Sequence, residues 1–199
     1  MSAASAPPSH APLLESLEML ERAVGYTRVQ LQAVTREMLC LPTPCERWRL
    51  GALLEHMEES LDALIEAADL GHVSVADRPG PVEPPSPVDA VERLRVRACS
   101  LLGAWSTVAH DDDVMVGDRP LSSSVLACAG ALEVAVHGWD VSQATGVRAP
   151  IPAALARELL IWADVLVGDA DRPERFDHPL SGPSVGPSSR LLMNLGREP

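Results

Sequence analysis

Glu133 and His137 lie four residues apart in "ALEVAVHGWD", residues 131 to 140 of a 199-residue chain, within one of its most apolar stretches. Four residues on a helix advance about 400°, so the two side chains project from one side and reach a common point. Carboxylate oxygen and imidazole nitrogen both bind zinc and similar divalent ions. Between Leu121 and Trp139 the single formally charged residue is Glu133, which argues for a buried helix and a carboxylate in need of a compensating charge. The competing readings are a solvated pair and a hydrogen-bonded core histidine. A third ligand must come from another helix, and "LLEHM" offers His56 beside the apolar residues Leu53, Leu54 and Met57. Three protein ligands leave positions open for water or substrate, as in catalytic rather than structural metal sites. Asp140, three residues beyond His137, is placed either to orient a ligand through a hydrogen bond or to form an ordinary salt bridge.

The other candidates are weaker. His10, His72, His110 and His178 fall in expected loops or termini, and the acidic run Asp111 to Asp113 lacks the glycine turn and spaced ligands of a calcium loop, so it reads as a solvated turn. Cys45 precedes an expected helix whose amides could depress its pKa, against the reading of a small buried hydrophobe.

Helical periodicity accounts for the elements that must carry these residues. Leu13, Leu17, Leu20, Val24, Leu31 and Val34 predict a first helix, ended by Pro42 and Pro44. Leu50, Leu53, Leu54, Met57, Leu61, Leu64 and Ile65 predict a second, closed by Gly71. After the proline-rich "DRPGPVEPPSP", a third helix starts at Ser86–Pro87 and runs to about Val108. "HDDDVMVGDRPL" is expected to be a loop. The fourth helix is capped by one of Ser122 to Ser124 and ends near Gly146, and a fifth opens at Pro152. The tail carries a short amphipathic turn at Leu191 to Leu195. No alternating run persuades as a strand, so the fold class is all-α: a four-helix bundle with an additional C-terminal helix and an irregular tail. The expected organisation is a disordered segment 1–10, a bundle domain 11–170 and a tail 171–199 packing on it.

Composition agrees and excludes. Hydrophobic residues make up 46% and aromatics only 3%, so Leu, Ala and Val must fill the core, a mix suited to helices. The net charge of −12 without a basic cluster argues against nucleic acid and anionic membranes as partners. All 16 basic residues are Arg, which removes Schiff-base and P-loop lysine chemistry. The four cysteines form no CxxC pair, "MSAASAPPSHAP" has no signal-peptide pattern, and the longest apolar run is too short to span a bilayer, so a soluble cytoplasmic protein with reduced thiols is expected.

Two stretches resemble a known family. "TPCERWRLGALLEHM" is similar to the "TPCxGWxVxxLLxHM" signature, and "ALEVAVHGWDVSQATG" to the "xxExxxHGWDLAxATG" signature, of the DinB-like, mycothiol-dependent maleylpyruvate isomerase group; "RLLMNLGREP" resembles the ending of its single-domain, metal-binding branch. The resemblance implies a DinB-like bundle, a divalent metal on His56, Glu133 and His137, with zinc the leading choice and nickel or iron as alternatives, and mycothiol as cosubstrate. It thus implies a thiol transferase or thiol-assisted isomerase acting on an electrophilic small molecule. The alternatives are a non-catalytic metal- or ligand-binding protein and a metal-activated hydrolase. An exposed bundle face allows a homodimer. Two departures stand out: Arg49 replaces the small polar residue that usually caps the second helix, and the chain is expected to lack the isomerase's C-terminal domain.

Overall fold

The computed structural model describes residues 13–45, 48–73, 87–172 and 176–199. The expected disordered segment 1–10 lies outside these, as does His10. Four long helices, α1 (Leu13–Leu31), α2 (Leu50–Leu70), α3 (Pro87–Ser106) and α4 (Ser123–Ala144), form the bundle: α4 packs on α1 and α2, and α3 packs on α2 and α1. Two further helices, α5 (Ala153–Leu166) and α6 (Pro187–Asn194), pack on one another, and α5 also lies against α4.

Helix α4 is the central rod. It is buried on nearly every side, from Ala127 and Cys128 to Trp139 and Val141. Its packing depends on glycine where backbones approach: a Cβ at Gly138 would fall onto Thr27 of α1, whose Cα lies only 3.1 Å away. The Thr27 hydroxyl uses that proximity to donate to the Val134 carbonyl at 2.7 Å. Ser122 caps α4 by accepting from the Val125 amide, and Asp111, read from sequence as a solvated turn, accepts from the Ser124 amide at 2.7 Å and its hydroxyl at 2.8 Å. Gly71 closes α2 in the left-handed conformation, with φ 69°, as expected.

Four local features can be set beside the sequence expectations, three of them differences and one, at Arg49, the substitute for the cap that its side chain does not supply. First, α1 stops at Leu31. The amides of Gln32, Ala33 and Val34 reach back only three residues, and Thr35 is extended, so a short 3-10 turn (Arg36–Met38) and a loop precede the prolines. Second, Arg49 gives α2 no side-chain cap; the amides of Leu50 and Gly51 donate to the carbonyls of Leu41 and Leu39 instead, at 3.0 and 2.9 Å, and the Arg49 guanidinium donates to the Cys40 carbonyl. Third, α3 ends at Ser106, two residues before Val108.

Fourth, the chain is not purely helical. Strands β1 (His72–Val73), β2 (Asp113–Val116) and β3 (Arg119–Ser122) form a small sheet in the order β1-β2-β3, parallel between the first pair and antiparallel between the second. Gly117, with φ 61°, makes the tight turn of the hairpin. "HDDDVMVGDRPL" is therefore mostly hairpin. Among the described residues no helix is long and apolar enough to cross a membrane.

The segment after α5 folds back over the bundle. Leu191, Leu192 and Leu195 are buried, the Ser188 hydroxyl accepts from the Ile151 amide, and Gly196 turns the chain with φ 77° against the Asp177 backbone, where a Cβ would lie 2.9 Å from Cα. That turn delivers Arg197 into the interior.

Candidate functional site

His56 projects from α2, and Glu133 and His137 from successive turns of α4. Glu133 Oε1 lies 2.7 Å from His56 Nε2, 3.2 Å from His137 Nε2 and 3.2 Å from the Ser60 hydroxyl. One donor atom from each of His56, Glu133 and His137 falls within 4.8 Å of the others. No second cluster of this kind occurs among the described residues, and His72, His110 and His178 are exposed.

The far side of His137 is tied down. Its Nδ1 lies 2.9 Å from Asp140 Oδ2, and Asp140, fully buried, is held in turn by a two-pronged hydrogen bond from Arg197, Nε to Oδ1 and Nη2 to Oδ2, both 2.8 Å. The Asp140 carboxylate holds the Nδ1 proton of His137, so that the proton facing Glu133 is the one on Nε2, and its loss would leave an Nε2 lone pair toward the site, the arrangement that supports metal-ligating histidines. The Trp48 ring stacks on His56 with centroids 4.2 Å apart and limits its rotation.

Electrostatics follow from the crowding. Burial alone would raise the Glu133 carboxyl, but the His137 charge and the hydrogen bonds from His137 and His56 hold it well below its usual value. Burial would lower His137; Glu133 and Asp140 overcome it and raise the imidazole to about 9 in the metal-free protein. Burial likewise opposes ionisation of Asp140, yet Arg197 and His137 keep its carboxyl below the ordinary range. Two imidazoles and a hydroxyl thus compete for one carboxylate oxygen. A nitrogen, oxygen, nitrogen donor set held this way fits a divalent cation, with His56, Glu133 and His137 as ligands.

These side chains open onto a cavity of about 490 Å³ between α2, α4, the sheet and the C-terminal segment. Cys45 stands at its edge, half-buried, rather than in the core. Sequence reasoning missed Trp48, Ser60 and Arg197. Ser60 was accessible, one turn from His56 on the same helix; Arg197 was visible only as part of the "RLLMNLGREP" ending and carried no assigned role.

The sequence profile of the family described as Mycothiol maleylpyruvate isomerase N-terminal domain matches residues 20–142. The chain belongs to that family. The isomerase-domain match spans α1 through α4 and so includes His56, Glu133, His137 and Asp140, while Arg197 lies beyond it. Two uncharacterized proteins from strains of Mycobacterium tuberculosis, MT0763 and Rv0738, are each 25% identical over 155 residues, covering 78% of this chain and 81% of theirs. Among solved structures, the crystal structure of a mycothiol-dependent maleylpyruvate isomerase superposes with a TM-score of 0.57 at 19% identity, over 90% of this chain and 85% of that one. A variant of that enzyme with a histidine replaced by alanine gives 0.58 at 18% identity, with the same coverage. These likenesses establish the shared fold. The superposition covers 85% of the isomerase's length.

Proposed function

We propose that this chain is a metal-dependent enzyme that uses a low-molecular-weight thiol such as mycothiol against an electrophilic small molecule, as a thiol transferase or thiol-assisted isomerase. The observation that carries the reading is the convergence of His56, Glu133 and His137 within 4.8 Å at the wall of an open cavity of about 490 Å³. Membership of the isomerase-domain family supports the thiol.

His56, Glu133 and His137 would hold the cation, zinc first among the choices. When bound, it supplies a positive charge that favours the thiolate form of a coordinating thiol near neutral pH. Asp140 keeps the Nδ1 proton of His137 and so presents Nε2 to the site; Arg197 neutralises Asp140. Trp48 braces His56, and Ser60 donates to Glu133, holding that oxygen toward the site. The thiolate would then attack an electrophilic carbon lodged in the cavity.

The test is metal analysis of the purified protein and of Glu133→Gln, followed by thiol consumption in the presence of an electrophile. Near-stoichiometric metal in the parent, less in the variant, and metal-dependent loss of thiol and electrophile together are expected. Metal and ligand uptake with no turnover would mean a binding protein; turnover of hydrolysable compounds without thiol would mean activation of bound water. No metal in either form removes the enzymatic reading.

A further inference from the structure

The outer face of α5 leaves two apolar side chains to solvent. Ile161 and Val165, one turn apart, are 54% and 43% exposed, whereas Leu159, Trp162 and Ala163 of the same helix are buried against the rest of the fold. Among the described helices no other exposes two large apolar residues one turn apart: Leu14, Val29, Leu70 and Val96 stand singly. Single exposed apolar residues are ordinary on a protein surface, so the pair on α5 carries information that the others do not.

The charges around the pair say what it fits. Arg157, exposed, has no ion pair or hydrogen bond among the described residues. Asp164 accepts from the Asn194 amide at 2.7 Å through Oδ1, which fixes the carboxylate and leaves Oδ2 open among the described residues. Glu158 is matched within the chain by Arg22 of α1, whose Nη1 donates to it at 3.0 Å. At about 100° per residue, Arg157 and Asp164 lie on one flank of Ile161, roughly 40° and 60° round the helix, while Val165 and Glu158 lie on the other. Arg157 and Asp164 are two turns, or about 10 Å, apart along the axis, beyond the three- or four-residue spacing at which helical side chains meet.

We infer that this face pairs with the same face of a second copy of the chain, the two α5 helices lying antiparallel about a two-fold axis beside Ile161. Such an axis, perpendicular to both helices, reverses their direction and keeps each flank on its own side. Arg157 of either copy therefore meets Asp164 of the other, twice, while Ile161 packs on Ile161 and Val165 on the stem of Glu158. Burial of the apolar residues supplies the attraction; the exposed ion pairs add little energy but fix the register. One helix from each copy covers less than the roughly 1,200 Å² of a standard interface, so the dimer is a weak one with a dissociation constant in the micromolar range. The net charge of −12 on each copy opposes approach at low ionic strength and is screened by physiological salt. The pairing does not depend on the cation cluster or on the reaction proposed for it.

Sedimentation velocity of the full chain from about 2 to about 300 µM, in about 0.15 M salt, should show a concentration-dependent dimer. Arg157→Glu places like charges at both contacts with Asp164, and Asp164→Arg does the same against Arg157, so each variant alone should dimerise about tenfold or more weakly. An equimolar mixture of the two brings opposite charges back to both contacts, and the mixed dimer should form as readily as the parent's. Ile161→Asp should abolish association. A monomer across the whole range overturns the inference, as does a dimer that the single reversals or Ile161→Asp leave unchanged, or a mixture that associates no better than either variant alone.

Discussion

At the scale of single residues, the site is a relay of charges in which each group is held by the next: Arg197 on Asp140, Asp140 on His137, His137 beside Glu133, and Glu133 beside His56. Removing a charge in the middle exposes its neighbours. Asp140→Asn should leave Arg197 buried without its counter-charge and His137 without its orienting carboxylate, lowering zinc affinity about 10- to 100-fold in a chelator competition. Proton linkage supplies a second expectation. The metal-free His137 imidazole is raised from an ordinary 6.5 to about 9, so zinc must displace a proton from it at neutral pH. Calorimetry in buffers of different ionisation enthalpy should show proton release at pH 7.5 that fades as pH rises through about 9. Because that pKa is raised on folding, its contribution to metal-free stability is complete below the unfolded value near 6.5 and is lost as pH climbs through about 9. Asp140 runs the other way: its pKa is depressed, so its contribution is lost only as pH falls through the lowered value.

At the scale of elements, α4 sets the geometry, since it carries two of the three candidate ligands and touches α1, α2 and α5. Gly138, next to His137, lets α1 approach. Gly138→Ala would drive a methyl into Thr27, and either the helices separate or the Thr27 bond to Val134 breaks. A cost of about 1–3 kcal/mol is expected in urea unfolding, with weaker metal retention because His137 moves with the backbone. The helices themselves were legible from periodicity, and Ser122 and Gly71 act as end signals as read. The strands were not: β1 has two residues and β2 and β3 four each, too few for alternation to stand out, although "VGDR" around Gly117 is a hairpin turn signal. The end of α1 escaped because Val34 keeps the apolar spacing after the hydrogen-bond ladder has tightened to three-residue steps.

At the scale of the molecule, the bundle class could be read because amphipathic helices with clear stops, gathered around one helix that is apolar on nearly every side, have few ways to bury their faces. The pairing of His56 with α4 could be read as well, since a glutamate in so apolar a stretch, half-buried in the structure, demands company. What could not be read was convergence across distance. Arg197 reaches Asp140 only through the turn at Gly196 and the packing of Leu191, Leu192 and Leu195, and the cavity walls come from the sheet and the C-terminal segment, whose placement no local pattern encodes. In a urea titration of the zinc-loaded protein, ion release to a chromophoric chelator and loss of helical circular dichroism should share one midpoint, and release well before unfolding would contradict this.

The reach of the Arg197 turn has a consequence for how the protein comes into being. His56 and Glu133 stand 77 positions apart and Asp140 and Arg197 57, so no contiguous fragment short of most of the chain can assemble the relay from His56 to Arg197. On the proposed function, cation capture would therefore mark a late stage of maturation, and loading with metal would report that α2, α4 and the C-terminal turn have come together.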